Sequence, residues 1–162
     1  MKIIVDDLRG PEIAALLEAH LDLMRSQSPP ESVHALDLDS LRVPEVTFWT
    51  AWGRDGDGEG GDDSRGELLG CGALKQLGDG QGEIKSMHTA KAARGKGIAA
   101  KLLTHLEAHA RNTGLKRLSL ETGSQDGFAP ARALYGKFGY SKCPPFGDYT
   151  EDPNSTFMTK VL

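Results

Sequence analysis

The stretch Gly82 to Leu103, GEIKSMHTAKAARGKGIAAKLL, constrains this chain more than any other. Its hydrophobic period changes partway. Ile84 to Thr89 suits an extended strand, whereas Ala99, Leu102, Leu103, Leu106 and Ala110 recur at helical spacing. Between the two lies Arg94-Gly95-Lys96-Gly97-Ile98-Ala99. Glycines at a helix start allow a ligand close to the backbone, because no β-carbon stands in the way. The first N–H groups of a helix have no partner inside it and point outward with the positive end of the dipole. An anion such as a pyrophosphate can settle there. Lys91, Arg94, Lys96 and Lys101 gather around this turn in a chain whose net charge is -4. A local basic site on an acidic chain suits a small polyanion and argues against a general nucleic-acid binder or an anionic-membrane protein.

The rest of the chain reads as a single α+β domain over residues 1–162, long enough for one well-buried core. Lys2–Val5 is a short β-type run, and Ile13, Leu16, Leu17, Leu21 and Met24 mark an amphipathic helix from Pro11 to Met24. Pro29-Pro30 forces a bend, a short helix follows around Leu36–Leu41, and Val46–Trp52 has strand composition. Phe48, Trp49 and Trp52 are expected in the core of the hairpin that returns through Leu68–Leu77. The connection RDGDGEGGDDSRG, residues 54–66, reads as a solvated loop. Its fragment Asp55-x-Asp57-x-Glu59-Gly60 imitates the start of a calcium loop, but the twelfth position is Gly66 and strands flank it. Arg117–Thr122 is a strand, Ala129–Phe138 a helix with Pro130 in its first turn, and Phe157–Leu162 a final strand.

Cys71 and Cys143 stand far apart, which points away from a disulfide scaffold or zinc site and fits a reducing cytoplasm. His105 and His109 lie four apart on the central helix with no third ligand in view, so they are expected at the surface and no metal is expected.

Three readings of the glycine turn compete. A P-loop needs GxxxxGK followed by Ser or Thr, and Lys96 is followed by Gly97. Gly95-x-Gly97-x-x-Ala100 does match a dinucleotide fingerprint, with Glu121 placed to bind ribose. Five residues, Ala90 to Arg94, separate that turn from its strand, however, and the chain lacks the repeated strand-helix units of a doubly wound sheet. In the third reading, Arg94, Gly97 and Ala99 match (Q/R)-x-x-G-x-(G/A), and Ala131-Arg-Ala-Leu-Tyr135-Gly-Lys-Phe-Gly139-Tyr140 resembles an ALYxKxGF signature downstream. With these motifs in this order, the chain resembles the GNAT superfamily of acetyltransferases over essentially its whole length, most specifically across residues 83–140.

That resemblance implies a mixed, mostly antiparallel central sheet with splayed middle strands, flanked by about four helices. It implies acetyl-CoA as acyl donor, its pantetheine arm lying along Met87, His88 and Thr89 as an added strand would. The pyrophosphate would rest on the amides of Gly95, Lys96, Gly97, Ile98 and Ala99, with Arg94 adding charge. One departure stands out: Phe128 occupies a position where many members carry an Asn that helps fix pantetheine.

Transfer of acetyl from a thioester to an amine passes through a tetrahedral oxyanion, which an N–H near Met87 or His88 can stabilise. No nucleophilic side chain is needed. An amine with a pKa near ~10 needs a base at neutral pH. Glu83 stands where several relatives carry such a carboxylate, while a solvent-facing strand-end glutamate is an equal alternative; Glu121, His88 or a water chain are further candidates. Tyr135 matches the family's proton donor to the departing thiolate. The resemblance further implies an N-acetyltransferase acting on a small-molecule amine, with a protein lysine or N-terminus, or an acyl-CoA sensor without turnover, as alternatives. Substrate-facing parts would be the first helix, the Pro29–His34 loop and Phe146–Tyr149. No nucleic-acid or membrane partner is expected, and homodimerisation is left open.

Overall fold

The computed structural model describes residues 1–33, 38–53 and 66–162. The acidic glycine-rich segment with its calcium-loop imitation therefore lies outside the described residues apart from Gly66, as do residues 34–37 at the start of the expected short helix. Among the described residues, seven strands form one sheet: β1 (Lys2–Val5), β2 (Val46–Trp52), β3 (Leu68–Gly78), β4 (Gln81–Thr89), β5 (Arg117–Gly123), β6 (Ser141–Lys142) and β7 (Ser155–Val161). Their order across the sheet is β1-β2-β3-β4-β5-β7-β6. Every pairing is antiparallel except β4 with β5. The helices are α1 (Pro11–Gln27), α2 (Leu38–Leu41), α3 (Ile98–Asn112) and α4 (Ala129–Lys137). The expected mixed, mostly antiparallel sheet with four helices is the one observed.

A parallel pair needs a crossover, and α3 supplies it between β4 and β5. The helix lays one apolar stripe on the sheet. Leu102, Leu103, Leu106 and Ala110 are fully buried; Leu103 and Leu106 pack with Trp49, Leu74, Ile84 and Leu118, and Leu102 with Ala51, Ala93 and Ile98. Each buried leucine contributes about 2 kcal/mol relative to exposure. The opposite face carries α1 and α2 through Ile13, Leu16, Leu17 and Leu41 against Phe48, Cys71 and Ala73. Phe48, Trp49 and Trp52 are core residues, as their composition suggests.

His105 and His109 depart from the surface expectation. Both are half-buried and present edges to the Trp49 ring, with centroids 5.6 and 4.8 Å away. Between them, Glu107 is buried at 7% exposure and receives both hydrogen bonds of Lys160 Nζ at 2.9 Å, with Arg111 adding a 3.4 Å contact. Among the described residues no group of three His, Cys, Asp or Glu side chains could hold a metal ion, and no helix is long and apolar enough to cross a membrane.

Candidate active site

The two parallel strands pair only at their beginnings. Gln81, Gly82, Glu83 and Ile84 lie opposite Arg117, Leu118, Ser119 and Leu120, and there the ladder stops. Past that point β4 follows β3 to Thr89, while β5 follows β7 to Gly123. A cavity of about 110 Å³ opens in the gap, lined by Met87 of β4, Glu121 of β5, Tyr135 of α4 and His20 of α1 among others. Phe128, at the Asn position of many relatives, lines the same gap and lies against Gly123, where any β-carbon would overlap its ring. Gly123 is therefore required by close approach rather than by a turn.

A bulge in β4 sets which side chains reach the gap. His88 pairs with Cys71 and Lys85 with Ala73, so Ser86 and Met87 together oppose the single Gly72. Ser86 takes a left-handed φ of 54°, and its carbonyl accepts a 3.2 Å bond from the Cys71 thiol. The extra residue reverses the alternation of side chains beyond it. Met87 thereby points to the α3 side, where its sulfur crowds Gly72, and His88 points to α1. There His88 Nδ1 meets His20 Nδ1 at 3.1 Å. Burial, then the His88 ring, holds His20 down at about 4; burial, then the Arg94 charge, does the same to His88. Both imidazoles are neutral at pH 7, which leaves His88 a weak base.

At the far end of the gap the chain turns through Lys91–Ala93 into α3. Gly95 and Gly97 adopt φ of 76° and 75°, and Gly97 is the N-cap of α3 with no side chain bonded to the first-turn amides. A β-carbon built on either glycine meets nothing within 4 Å. The space over these N–H groups is open, and Arg94, Lys96 and Gly97 are exposed while Ile98 packs inward. Two left-handed glycines before a helix start form a concave set of amides suited to a phosphate. The residues present thus fit a diphosphate.

Glu83 is not the solvent-facing strand-end residue of the alternative reading. It is 4% exposed, takes a 2.6 Å hydrogen bond from the Tyr149 hydroxyl and a 2.9 Å bond from Lys85 Nζ, and lines the same cavity as Tyr135. Tyr135 is 6% exposed; burial first, then the nearby Glu121 charge, raises its phenol above the ordinary tyrosine value, so its proton is retained. Cys71 is fully buried and pushed up to about 12 by burial, which makes it a poor nucleophile.

The gap therefore brings Glu83, Met87 and Tyr135 together, with His88 beside it on the α1 side and the Arg94–Ala99 turn beyond the end of β4. Lys85 escaped the sequence reading, since nothing in the sequence links it to Tyr149, 64 positions away. Within the Phe146–Tyr149 stretch expected to face the substrate, Tyr149 is the residue that lines the cavity.

The fold that holds this gap is shared with a solved chain named as an acyl-CoA N-acyltransferase. The family model described as "Acetyltransferase (GNAT) family" matches residues 13–140, and the chain belongs to that family as an acetyl-CoA-dependent N-acetyltransferase. It is 52% identical over 162 residues, all of both chains, to the uncharacterised N-acetyltransferase YsnE of Bacillus subtilis (strain 168). A crystal structure from Klebsiella pneumoniae, provisionally named an acyl-CoA N-acyltransferase, is 31% identical with a TM-score of 0.74, covering 99% of this chain and 97% of that one. A GNAT family acetyltransferase from Elizabethkingia anophelis with acetyl-CoA bound shares the fold at 20% identity, with a TM-score of 0.66 over 99% and 97% of the two chains.

Proposed function

We propose that this chain moves the acetyl group of acetyl-CoA to the amine of a small molecule by direct attack. The observation that carries this is the gap beyond Ile84 and Leu120, which has a buried carboxylate and a buried phenol on its walls. The pantetheine arm takes the place of strand pairing along Met87, His88 and Thr89. Its diphosphate sits on the amides from Gly95 to Ala99, with Arg94 and Lys96 adding positive charge. Glu83 takes the proton of the acceptor's ammonium group, the nitrogen bonds to the acetyl carbon, and the carbon–sulfur bond breaks. An N–H near Met87 or His88 stabilises the oxyanion in between, and Tyr135 gives its proton to the departing sulfur and regains one from the newly acylated nitrogen.

Support for a small acceptor comes from the walls of the cavity. His20 and Met24 of α1 and Tyr149 of the last connection close around it, leaving little room for a folded protein surface. The test is release of thiol from acetyl-CoA over a panel of small amines and lysine peptides. Turnover with small amines is the expected result. Tight acetyl-CoA binding with no release from any acceptor would leave an acyl-CoA sensor, and release with peptides alone would assign a protein substrate.

A further inference from the structure

We infer that Lys85 and Tyr149 are positioning residues that clamp one oxygen of Glu83 and leave the other to face the acceptor. The inference rests on the reading of Glu83 as the base. Oε1 of Glu83 accepts from the Tyr149 hydroxyl at 2.6 Å and from Lys85 Nζ at 2.9 Å. Lys85 Nζ donates in turn to the Tyr149 hydroxyl oxygen at 3.0 Å, which closes a ring of three bonds. Oε2 makes no hydrogen bond among the described residues, and Glu83 lines the cavity. The side chains of Glu83 and Lys85 are 6% and 8% exposed, so water does little of the holding.

Tyr149 arrives from a different part of the chain and is fixed independently. Its ring meets Phe146 at 5.2 Å and Phe157 at 5.4 Å between centroids. A donor anchored in this way holds the carboxylate in one rotamer, so proximity rather than chance orientation presents Oε2 to the incoming amine. Removing a hydrogen-bond donor from a carboxylate weakens the hold on its charged form, which gives the variants below a readable pH signature. Other groups face Glu83 from each neighbouring element. Lys75 of β3 and Ser119 of β5 lie in register with it. Glu121 of β5, neutral His20 of α1 and Tyr135 of α4 line the same cavity. Lys75 works with Lys85, Glu121 against it, and the rest carry no charge at pH 7.

The test is the pH profile of kcat with one amine and saturating acetyl-CoA for the wild type, Glu83→Gln, Tyr149→Phe, Lys85→Met and Lys85→Arg. Tyr149→Phe keeps the packed ring and is expected to move the acidic limb up by about 1 pH unit; Lys85→Met moves it by about 1–3. In both, the plateau at high pH also falls, because the carboxylate is no longer held in one rotamer, and Lys85→Arg brings the limb and the plateau partly back. Lowered plateaus with an unmoved limb would mean ordinary structural support and would overturn the inference. Glu83→Gln separates the two readings. A collapse of about 10²-fold upholds the base, whereas a wild-type rate and limb in that variant removes the base and this inference together. Should Lys85→Met fail to fold, Tyr149→Phe alone decides.

Discussion

His20 Nδ1 lies 3.1 Å from His88 Nδ1, a contact that helps tie α1 to the bulged end of β4. One ring must donate and the other accept, so a second proton on the pair would break the bond and place two charges side by side. In the folded chain both rings hold off protonation until about 4, whereas an unfolded histidine takes its proton near 6.5. Between those values the unfolded chain binds more protons, so stability rises with pH across the window and is lost as pH falls from 6.5 towards 4. The melting temperature of His88→Asn is expected to change less steeply over that range than the wild type. Parallel curves for the two proteins would remove the histidine pair as the cause.

Tyr135→Phe is expected to lower kcat by about 10²-fold, the scale of one lost acid–base group. The ring stays against Tyr140, 5.8 Å away between centroids, so affinity for CoA should hardly change. Steady-state kinetics and calorimetric CoA binding check this pair of outcomes. Full activity in the variant would take Tyr135 out of the reaction.

Gly97→Ala places a side chain at φ 75°, a left-handed conformation that costs about 1 kcal/mol for a residue with a β-carbon. Nothing lies within 4 Å of the added methyl, so the loss of stability should end there. The methyl stands over the amides that would hold the diphosphate, and the CoA dissociation constant is expected to rise about tenfold, or ~1.4 kcal/mol. Acetyl-pantetheine, which lacks the diphosphate, should be turned over as before. Equal losses with both donors would make the turn a support of the fold rather than a phosphate seat.

Glu107→Gln removes the charge that Lys160 Nζ contacts twice at 2.9 Å while burying the same volume. With the Lys160 side chain 20% exposed, the leftover ammonium keeps some water, and the loss is expected to be about 2 kcal/mol rather than that of a fully buried orphan. Denaturant unfolding reads that number, and the kinetic constants of the folded fraction should stay at wild-type values because the cluster lies outside the gap.

The strands, the glycine turn and both long helices were legible because each repeats a local pattern: Leu102, Leu103 and Leu106 announce the face of α3, and Pro130 the start of α4. Chain ends were less legible. α1 runs to Gln27 instead of Met24, because Arg25, Ser26 and Gln27 carry no apolar signal, and the two-residue β6 is set only by its pairing to β7. The catalytic environment was half visible. Glu83 and Tyr135 could be picked out by motif, but whether Glu83 faced water or the interior depended on Lys85 and Tyr149, and a partner 66 residues away leaves no local trace. The bulge was invisible too, since Ser86 holds a left-handed φ without the glycine that usually marks one.

That bulge makes strand length a determinant of chemistry. β4 carries two residues where β3 carries one, and every side chain after the insertion has changed walls. Ironing out the bulge with Ser86 kept in a regular ladder would send His88 among the leucines of α3 and Met87 toward α1, with no residue type altered. Two relatives with the same amino acids at this edge therefore differ in what they present to an acceptor if one strand bulges and the other runs regular, a difference that comparing aligned identities alone would miss.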